Sequence, residues 1–371
     1  MKTDRIGIYL HIPFCIKKCM YCDFCSFPLG DGIINDDYIC ALCDEIDSYR
    51  EKGIAADTVF FGGGTPSLLR PEQLTKILYH LRQAFQISTD AEITMEANPG
   101  TVTERVLSEF RKAGINRLSF GLQSIHENEL KLLGRIHSFA DFEESFESAR
   151  RADFNNINID VMYGIPEQTE ESFSKTLKKI SELSPEHISV YGLILEEGTP
   201  LHKNKTQYVF PTEDEECDMY YNCAAFLSKA GYCHYEISNY SKSGFECRHN
   251  IKYWRDEEYV GLGLNAHSYF DGVRFSNTSD FAKYLNRDYL DNADKLSSDE
   301  KEFEFAMLAL RLKEGLSNTK YRQLFGKDFI SPREKKIEEL RSYGLVITDG
   351  DRVALTEKGF YVSNTVMAEL L

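Results

Sequence analysis

Three closely spaced cysteines near the start of the chain are the residues best suited to do chemistry. Cys15, Cys19 and Cys22 are four and three positions apart, on a segment that follows Pro13. Thiolates at these spacings can surround one small inorganic core, and a [4Fe–4S] cluster held by three of them leaves one iron open to a ligand from outside the protein. Structural zinc is the alternative because Cys25 lies nearby, although zinc usually takes four ligands in two separated pairs. The spacing favours the cluster and leaves zinc open.

The composition indicates where such a protein works. The chain has 371 residues, of which 42% are hydrophobic and 27% charged, as is typical of a soluble globular protein. Its ten cysteines follow no recognisable export signal, so we expect reduced thiols in a cytoplasmic protein. The net charge of −16 argues against nucleic acid as a partner. No apolar run approaches the roughly 20 residues that a membrane span requires.

The remaining cysteines are expected to be structural. Cys40 and Cys43 lie in a helical pattern with no second pair nearby, and isolated cysteines are often simply buried. The cysteines from Cys217 to Cys247 lack tight spacing. We therefore predict no second cluster.

Alternating strand and helix patterns must position the cysteine segment. The predicted strands are Arg5–His11, Thr58–Gly62, Glu92–Glu96, Arg117–Gly121, Asn156–Val161 and His187–Tyr191. The predicted helices are Asp36–Lys52, Pro71–Ala84, Thr103–Ala113, Phe139–Ala152 and Glu170–Leu183. Six such units imply a parallel sheet with right-handed crossovers, which either closes as a barrel or stays open as part of one. The expected class is therefore α/β.

Unusual residues follow the predicted strands at the point where each strand ends. These segments are Gly62–Pro66, Glu96–Pro99, Gly121–Ser124 and Asp160–Gly164. In α/β barrels the carboxyl ends of the strands carry the functional groups. Four such segments in succession predict one shared site.

The pattern changes after about residue 200. We predict a barrel domain over 1–200, an auxiliary α+β region over 201–297, and a winged-helix-like module over 298–371 that ends in a hairpin at Asp349-Gly350-Asp351. That module has 12 Lys and Arg against 13 Asp and Glu, a net charge of −1. A DNA-reading module would be basic, so we expect a lid or docking surface.

Several of these segments together resemble the radical S-adenosylmethionine (SAM) superfamily. The cysteine spacing after a first strand and the Gly62–Pro66 turn after a second carry that resemblance. The segments Tyr9–Cys15 and Asp160–Pro166 are similar to the family that contains oxygen-independent coproporphyrinogen III oxidases and HemW-type haem chaperones. The resemblance covers nearly the whole chain and implies a partial (β/α)6-type barrel with a C-terminal α+β region.

The resemblance also implies roles for individual residues. It makes Cys15, Cys19 and Cys22 the cluster ligands, with SAM on the fourth iron. The positions that match a first SAM site are Tyr9, Gly63 and Glu96. The positions that match a second site, assigned in the oxidase, are Tyr21, Gly64, Thr65, Gln123, Arg135 and Asp160. Polar side chains such as Glu96 and Asp160 at strand ends are costly to bury without a partner, which a bound ligand would supply.

Two functions compete within this family. The oxidase pattern has a further cysteine where this chain has Phe24, and an N-terminal extension that is not found before Tyr9. The chaperone signature His-Asn-x-x-Tyr-Trp is matched by the motif His249-Asn250-Ile251-Lys252-Tyr253-Trp254, the His249–Trp254 motif. We therefore expect a haem chaperone that binds the cluster, SAM and haem, and delivers haem to acceptor haem proteins. Coproporphyrinogen III oxidase is the alternative.

The side chains of the His249–Trp254 motif are also chemically suited to bind haem. His249 can offer an imidazole nitrogen to iron, and Tyr253 and Trp254 can stack on a flat macrocycle. Arg248 and Lys252 flank the site and are candidates to pair with the propionates. The alternative is that His249 is an ordinary hydrogen-bonded core residue. An acidic chain of this kind can still visit an acceptor at a membrane.

Overall fold

The structure is a computed structural model that describes residues 5–29 and 34–371. In these ranges the strands are β1 (Ile6–Ile12), β2 (Phe14–Cys15), β3 (Phe27–Pro28), β4 (Ala55–Gly63), β5 (Gln86–Ala97), β6 (Arg117–Gln123), β7 (Ile157–Tyr163), β8 (His187–Gly192), β9 (Cys233–Glu236), β10 (Asn239–Ser241), β11 (Tyr259–Leu262), β12 (His267–Phe270), β13 (Val273–Asn277), β14 (Leu290–Lys295), β15 (Leu316–Ser317), β16 (Val346–Thr348) and β17 (Arg352–Leu355). Most of them belong to one large sheet.

That sheet has 12 strands in the order β14-β13-β12-β11-β1-β4-β5-β6-β7-β8-β10-β9. The strands from β11 to β8 in this order are parallel to one another, while the outer pairs are antiparallel. In the described part of the chain the two end strands, β14 and β9, do not pair, so the sheet stays open. The predicted α/β class with a partial barrel of six βα units is confirmed.

Helices connect the strands. Over the same described ranges they are α1 (Asp36–Asp47), α2 (Pro71–Ala84), α3 (Glu104–Ala113), α4 (Glu127–Leu132), α5 (Phe139–Arg151), α6 (Glu170–Glu182), α7 (Pro200–Lys203), α8 (Glu213–Lys229), α9 (Arg248–Trp254), α10 (Phe281–Leu285), α11 (Ser298–Ala309), α12 (Asn318–Phe325), α13 (Glu334–Ser342), α14 (Glu357–Tyr361) and α15 (Ser363–Leu370). The predicted cap of α3 is present, because the Thr103 side chain accepts from the Val106 N–H. The five predicted helices of the barrel are all found, with ends shifted by a few residues.

The central strands are almost completely buried, which explains why their sequences predict strands. Every residue of β6 is buried, and β1 is buried at all positions except Tyr9, which is half-buried. Parallel strands covered on both faces are expected to be apolar almost continuously. One face packs on the helices, and the carboxyl ends of the strands surround a cavity.

The region after residue 200 builds on this sheet. Its strands β9 and β10 extend one edge and β11 to β14 extend the other. The last part of the chain has a three-stranded sheet, β15-β17-β16, and a separate apolar core that includes Phe305, Tyr321 and Phe360. The predicted hairpin is the β16–β17 pair. The exact domain boundaries stay predictions. None of the helices in the described ranges is both long and apolar enough to cross a bilayer.

Candidate functional site

A cavity of about 430 Å³ lies along the inner face of the parallel strands and reaches their carboxyl ends. Every residue predicted from the sequence to bind the cluster or a cofactor lines this central cavity. These residues are Tyr9, Cys15, Cys19, Tyr21, Cys22, Gly63, Gly64, Thr65, Glu96, Gln123, Arg135, Asp160 and His249. The structure therefore brings together residues that are far apart in the sequence, while their individual roles stay predictions.

The cysteine segment leaves β2 and runs along the wall of the cavity. Its middle is held by backbone hydrogen bonds, from the Met20 N–H to the Leu133 carbonyl at 2.9 Å and from the Leu201 N–H to the Met20 carbonyl at 2.8 Å. Burial raises the pKa of the Cys15 thiol and also that of the Cys22 thiol. A bound metal favours thiolates over thiols, so loading of the cluster would release protons.

The three thiols do not converge on one point. Across residues 5–29 and 34–371, we find no group of three or more His, Cys, Asp or Glu side chains arranged to hold a single metal ion. A [4Fe–4S] cube takes one thiolate at each of three separate irons, so it does not require that convergence.

A chain of polar side chains ties the cysteine segment to the sheet. The Thr65 hydroxyl donates to the Cys15 sulfur at 3.5 Å and accepts from the Asn98 amide at 2.8 Å. Arg135 then joins the Asn98 oxygen to the Tyr21 hydroxyl, with both distances at 2.8 Å. Asn98 was not predicted as a site residue. Its position directly after β5, two residues beyond Glu96, could have indicated it.

The glycine turn after β4 brings this strand close to the cysteine segment. The Gly64 N–H donates to the Ile12 carbonyl at 2.9 Å, and the Thr65 N–H donates to the Phe14 carbonyl at 2.7 Å. A Cβ on Gly64 would lie 2.5 Å from the Phe14 oxygen, and Gly63 has a φ of +113° that side chains rarely adopt. The turn therefore requires glycine at both positions.

Two buried carboxyl groups face the cavity. The Glu96 carboxylate accepts the Gly63 N–H at 3.1 Å, and Asp160 accepts from Asn158 at 2.7 Å. Burial, together with the neighbouring Asp160, raises the pKa of Glu96 to about 8. Burial also raises the pKa of Asp160. Acidic groups held in this state favour a ligand that carries positive charge.

A buried guanidinium lies beside these carboxyl groups. Arg117 is 2% exposed and lines the cavity, and the Nε atom of its guanidinium has no hydrogen-bond partner in the described part of the chain. Its charge is balanced at longer range by Glu92 and Asp160, among others. Nothing in the sequence distinguished Arg117 from an ordinary first residue of a strand. With Arg135, it gives the cavity two guanidinium groups beside its two carboxyl groups.

Gln123 adopts an unusual backbone at the end of β6. Its φ is +73°, in the left-handed region, where the pairing of β6 with β7 shifts register. The side chain is buried and lines the cavity. Non-glycine residues in this region are strained and cluster at functional sites.

His249 is held more firmly than the sequence suggested. It is 1% exposed, and its ring hydrogen-bonds through Nδ1 to the Thr58 hydroxyl and through Nε2 to the Tyr253 hydroxyl, both at 2.8 Å. Burial lowers its pKa to about 3, so the imidazole is neutral. The backbone N–H groups of Arg248 and His249 donate to Glu92 at the start of α9. Iron ligation by either ring nitrogen requires one of these bonds to break.

The other residues of the His249–Trp254 motif line two different cavities. Asn250 lines the central cavity, Trp254 lines a second cavity, and Tyr253 lines both. The two flanking cations considered for propionates are already paired. Lys252 contacts Asp57 at 2.9 Å and Glu257 at 3.1 Å, and Arg248 lies 3.5 Å from Asp57.

Comparison with known families agrees with this architecture. Residues 9–180 match the family described as the Radical SAM superfamily, and residues 296–362 match the HemN C-terminal domain. The first match contains the three cysteines and most of the residues that line the central cavity, and the second covers most of the C-terminal module.

Individual relatives match nearly the whole chain. The protein described as Heme chaperone HemW from Lactococcus lactis subsp. lactis is 36% identical over 98% of this chain and 96% of its own length. The protein of the same description from Escherichia coli K12 is 34% identical over 99% and 98%. The structure of coproporphyrinogen III oxidase (HemN) from Escherichia coli superimposes with a TM-score of 0.86 at 25% identity, over 99% of this chain and 90% of that one.

Proposed function

The chain belongs to the HemW family of radical SAM proteins, and from that premise we propose that it binds haem and delivers it to acceptor haem proteins. The observation that carries the proposal is similarity to heme chaperones HemW over essentially the full length. Two of the sequence features that distinguish a chaperone from an oxidase, Phe24 and the His249–Trp254 motif, agree with it. Phe24 is 64% exposed beside the cysteine segment, where the oxidase pattern has a thiol.

The family implies a [4Fe–4S] cluster and SAM, and the residues present fit both groups. Three thiols lie on one wall of the central cavity, and the polar chain from Thr65 to Tyr21 braces the segment that carries them. SAM is a zwitterion with an added sulfonium charge. Glu96 and Asp160 suit its cationic groups, while Arg117 and Arg135 offer positive charge to its carboxylate or ribose oxygens.

When bound together, cluster and SAM supply one-electron chemistry. The residues of this chain have simpler tasks. The glycine turn allows the backbone to come close to a bound ligand. Glu96 holds a proton or a cation at its carboxyl group. The Tyr9 side chain is positioned by a 3.0 Å hydrogen bond between its hydroxyl and His11 Nδ1. A carrier can use this assembly as a switch without turnover of porphyrinogen.

The pKa of Glu96 gives a prediction for SAM binding. At pH 7 most of this carboxyl group is protonated, since its pKa is raised to about 8, and binding of a cation favours the carboxylate. Affinity for SAM is therefore expected to rise about five- to tenfold between pH 7 and 8.5, with one proton released per ligand bound near neutral pH. Anaerobic calorimetry in two buffers of different ionisation enthalpy measures both quantities.

The matched control for this titration is Glu96→Gln. The amide keeps the shape of the side chain and cannot ionise, so its affinity should be lower and nearly independent of pH. An equally steep pH profile in the variant would assign the titration to another group.

Oxidase activity is the second candidate, and the likeness to HemN is the observation that favours it. We expect no conversion of coproporphyrinogen III when the reconstituted protein is incubated anaerobically with SAM and reductant. Chromatography of the porphyrins after oxidation measures this directly. Formation of protoporphyrinogen over many turnovers would overturn the proposed carrier function in favour of the oxidase.

The acceptors and the compartment are also part of this proposal. We infer a cytoplasmic protein that meets its acceptors there or at a membrane surface, in keeping with a net charge of −16 and with reduced thiols. Its C-terminal module, with as many acidic as basic residues to within one charge, suits docking to protein rather than to nucleic acid.

A further inference from the structure

A second cavity adjoins the central one. This side cavity has a volume of about 540 Å³ and shares Tyr9, Phe24 and Tyr253 with its neighbour. Both volumes fall within the roughly 300–1,000 Å³ usual for cofactor sites. The molecule thus has two ligand-sized spaces separated by one layer of side chains.

The two cavities differ in chemistry. The central cavity has two buried carboxyl groups and two guanidiniums, which suit a zwitterion and oppose an apolar macrocycle. The side cavity has the guanidinium of Arg274. Part of its wall is aromatic and aliphatic and is formed by Phe24, Tyr253, Trp254, Tyr259 and Leu308. Aromatic faces of this kind stack on flat conjugated ligands.

Acidic groups on the same walls are largely neutralised. Arg274 lies 3.5 Å from Asp256 and 2.7 Å from Glu304, and Glu257 is 3.1 Å from Lys252. Asp23 is exposed. The propionates of a porphyrin would therefore point to solvent, and its apolar edge would lie among the aromatic rings.

One imidazole on these walls is free. His11 is buried, and its ring is bonded at Nδ1 to Tyr9 and at Nε2 to the Cys25 carbonyl. His249 is bonded at both nitrogens and lies on the central cavity. His267, on β12, is exposed and lines the side cavity, and its imidazole has no hydrogen bond in residues 5–29 and 34–371. An accessible imidazole is a common protein ligand of haem iron.

We propose that haem binds in the side cavity, stacked against Tyr253 and Trp254, with His267 rather than His249 as the ligand of its iron. This inference rests on the proposed function, because it names the site of the haem that the carrier holds. In this proposal the residues of the His249–Trp254 motif have two different roles. His249 fixes Tyr253 on the wall between the two cavities, and the aromatic residues of the motif contact the porphyrin.

The arrangement also places haem next to the cluster. Asp23, Phe24 and Cys25 line the side cavity and directly follow Cys22 in the chain. Haem in this position would contact the segment that ligates the cluster and would share a wall with SAM.

The test is a titration of the full-length, anaerobically reconstituted protein with ferric haem, followed by the Soret band and by electron paramagnetic resonance. We expect wild type to bind one equivalent with an imidazole-ligated spectrum. His267→Ala should lose that spectrum and bind haem about tenfold or more weakly. His202→Ala, a half-buried histidine outside both cavities, is the matched control and should behave as wild type.

Two further variants keep the result interpretable. His267→Gly should regain the imidazole-ligated spectrum when free imidazole is added, in the protein fraction that retains haem through gel filtration. A misfolded variant would retain no haem in that fraction. His249→Ala should weaken binding, because Tyr253 loses its partner, yet retain imidazole ligation. An unchanged spectrum in His267→Ala, or loss of ligation only in His249→Ala or Cys25→Ser, would overturn the assignment. Absence of haem binding by wild type would instead overturn the proposed function.

Discussion

Replacing Cys15, Cys19 and Cys22 together by serine is expected to remove the iron–sulfur cluster completely. Serine keeps the size of each side chain but supplies no thiolate, and the structure has no other group of metal-binding side chains at the site in the ranges it describes. Iron and acid-labile sulfide should fall to background, together with the visible absorption of the cluster. SAM binding should fall as well, since its iron anchor is lost.

Cys25→Ser is the matched control for that experiment. Cys25 lies three positions after Cys22, is half-buried like it, and is assigned no iron. We expect a normal cluster content in this variant. Loss of the cluster in Cys25→Ser, or zinc in place of iron in the wild-type protein, would contradict the three-thiolate interpretation.

Gly64→Ala is expected to disrupt the cluster site through the glycine turn that packs against the cysteine segment. The new Cβ would lie 2.5 Å from the Phe14 oxygen and 2.7 Å from the Phe14 nitrogen, and both atoms belong to backbone that cannot rotate away. Forcing a methyl group into such a contact costs about 1–3 kcal/mol or more. Because Phe14 immediately precedes Cys15, relief of the clash moves a cluster ligand. Cluster content and the free energy of unfolding should therefore fall together.

Gly53→Ala separates this effect from a general loss of glycine. Gly53 has a φ of +65°, and a Cβ there meets no atom within 4 Å. The control should lose about 1 kcal/mol of stability through backbone strain alone and keep its cluster. Iron content after identical reconstitution, with chemical denaturation of both variants, measures the difference. A Gly64→Ala protein with full cluster content would show that the turn does not fix Cys15.

The central sheet and most of its site follow from local sequence patterns. Strands such as β6 and β7 are almost completely buried, and their apolar residues indicate where the strands lie in the sequence. The segments that follow the predicted strands then meet where a parallel sheet brings the strand ends together. Tyr9, Glu96 and Asp160 therefore reach one cavity as expected.

Residues whose roles depend on distant partners could not be read in this way. β11 is short and lies far from β1 in the sequence, yet the two strands pair in parallel. No local sequence pattern predicts that pairing. The sequence shows that residue 249 is a histidine, but not that Thr58, 191 positions away, occupies its Nδ1. The burial of Arg117, whose Nε atom has no hydrogen-bond partner among the described residues, is likewise a property of the assembled cavity.

Transfer of haem to an acceptor is the most direct test of the proposed carrier function. The protein, reconstituted anaerobically with its cluster and loaded with haem, is mixed with an excess of an apo-haem protein, and the Soret bands of donor and acceptor are followed after separation. We predict that the chain retains one equivalent of haem through gel filtration and gives it up to the acceptor, with the transfer reduced in the triple serine variant. Failure of the wild-type protein to retain or transfer any haem would contradict the account.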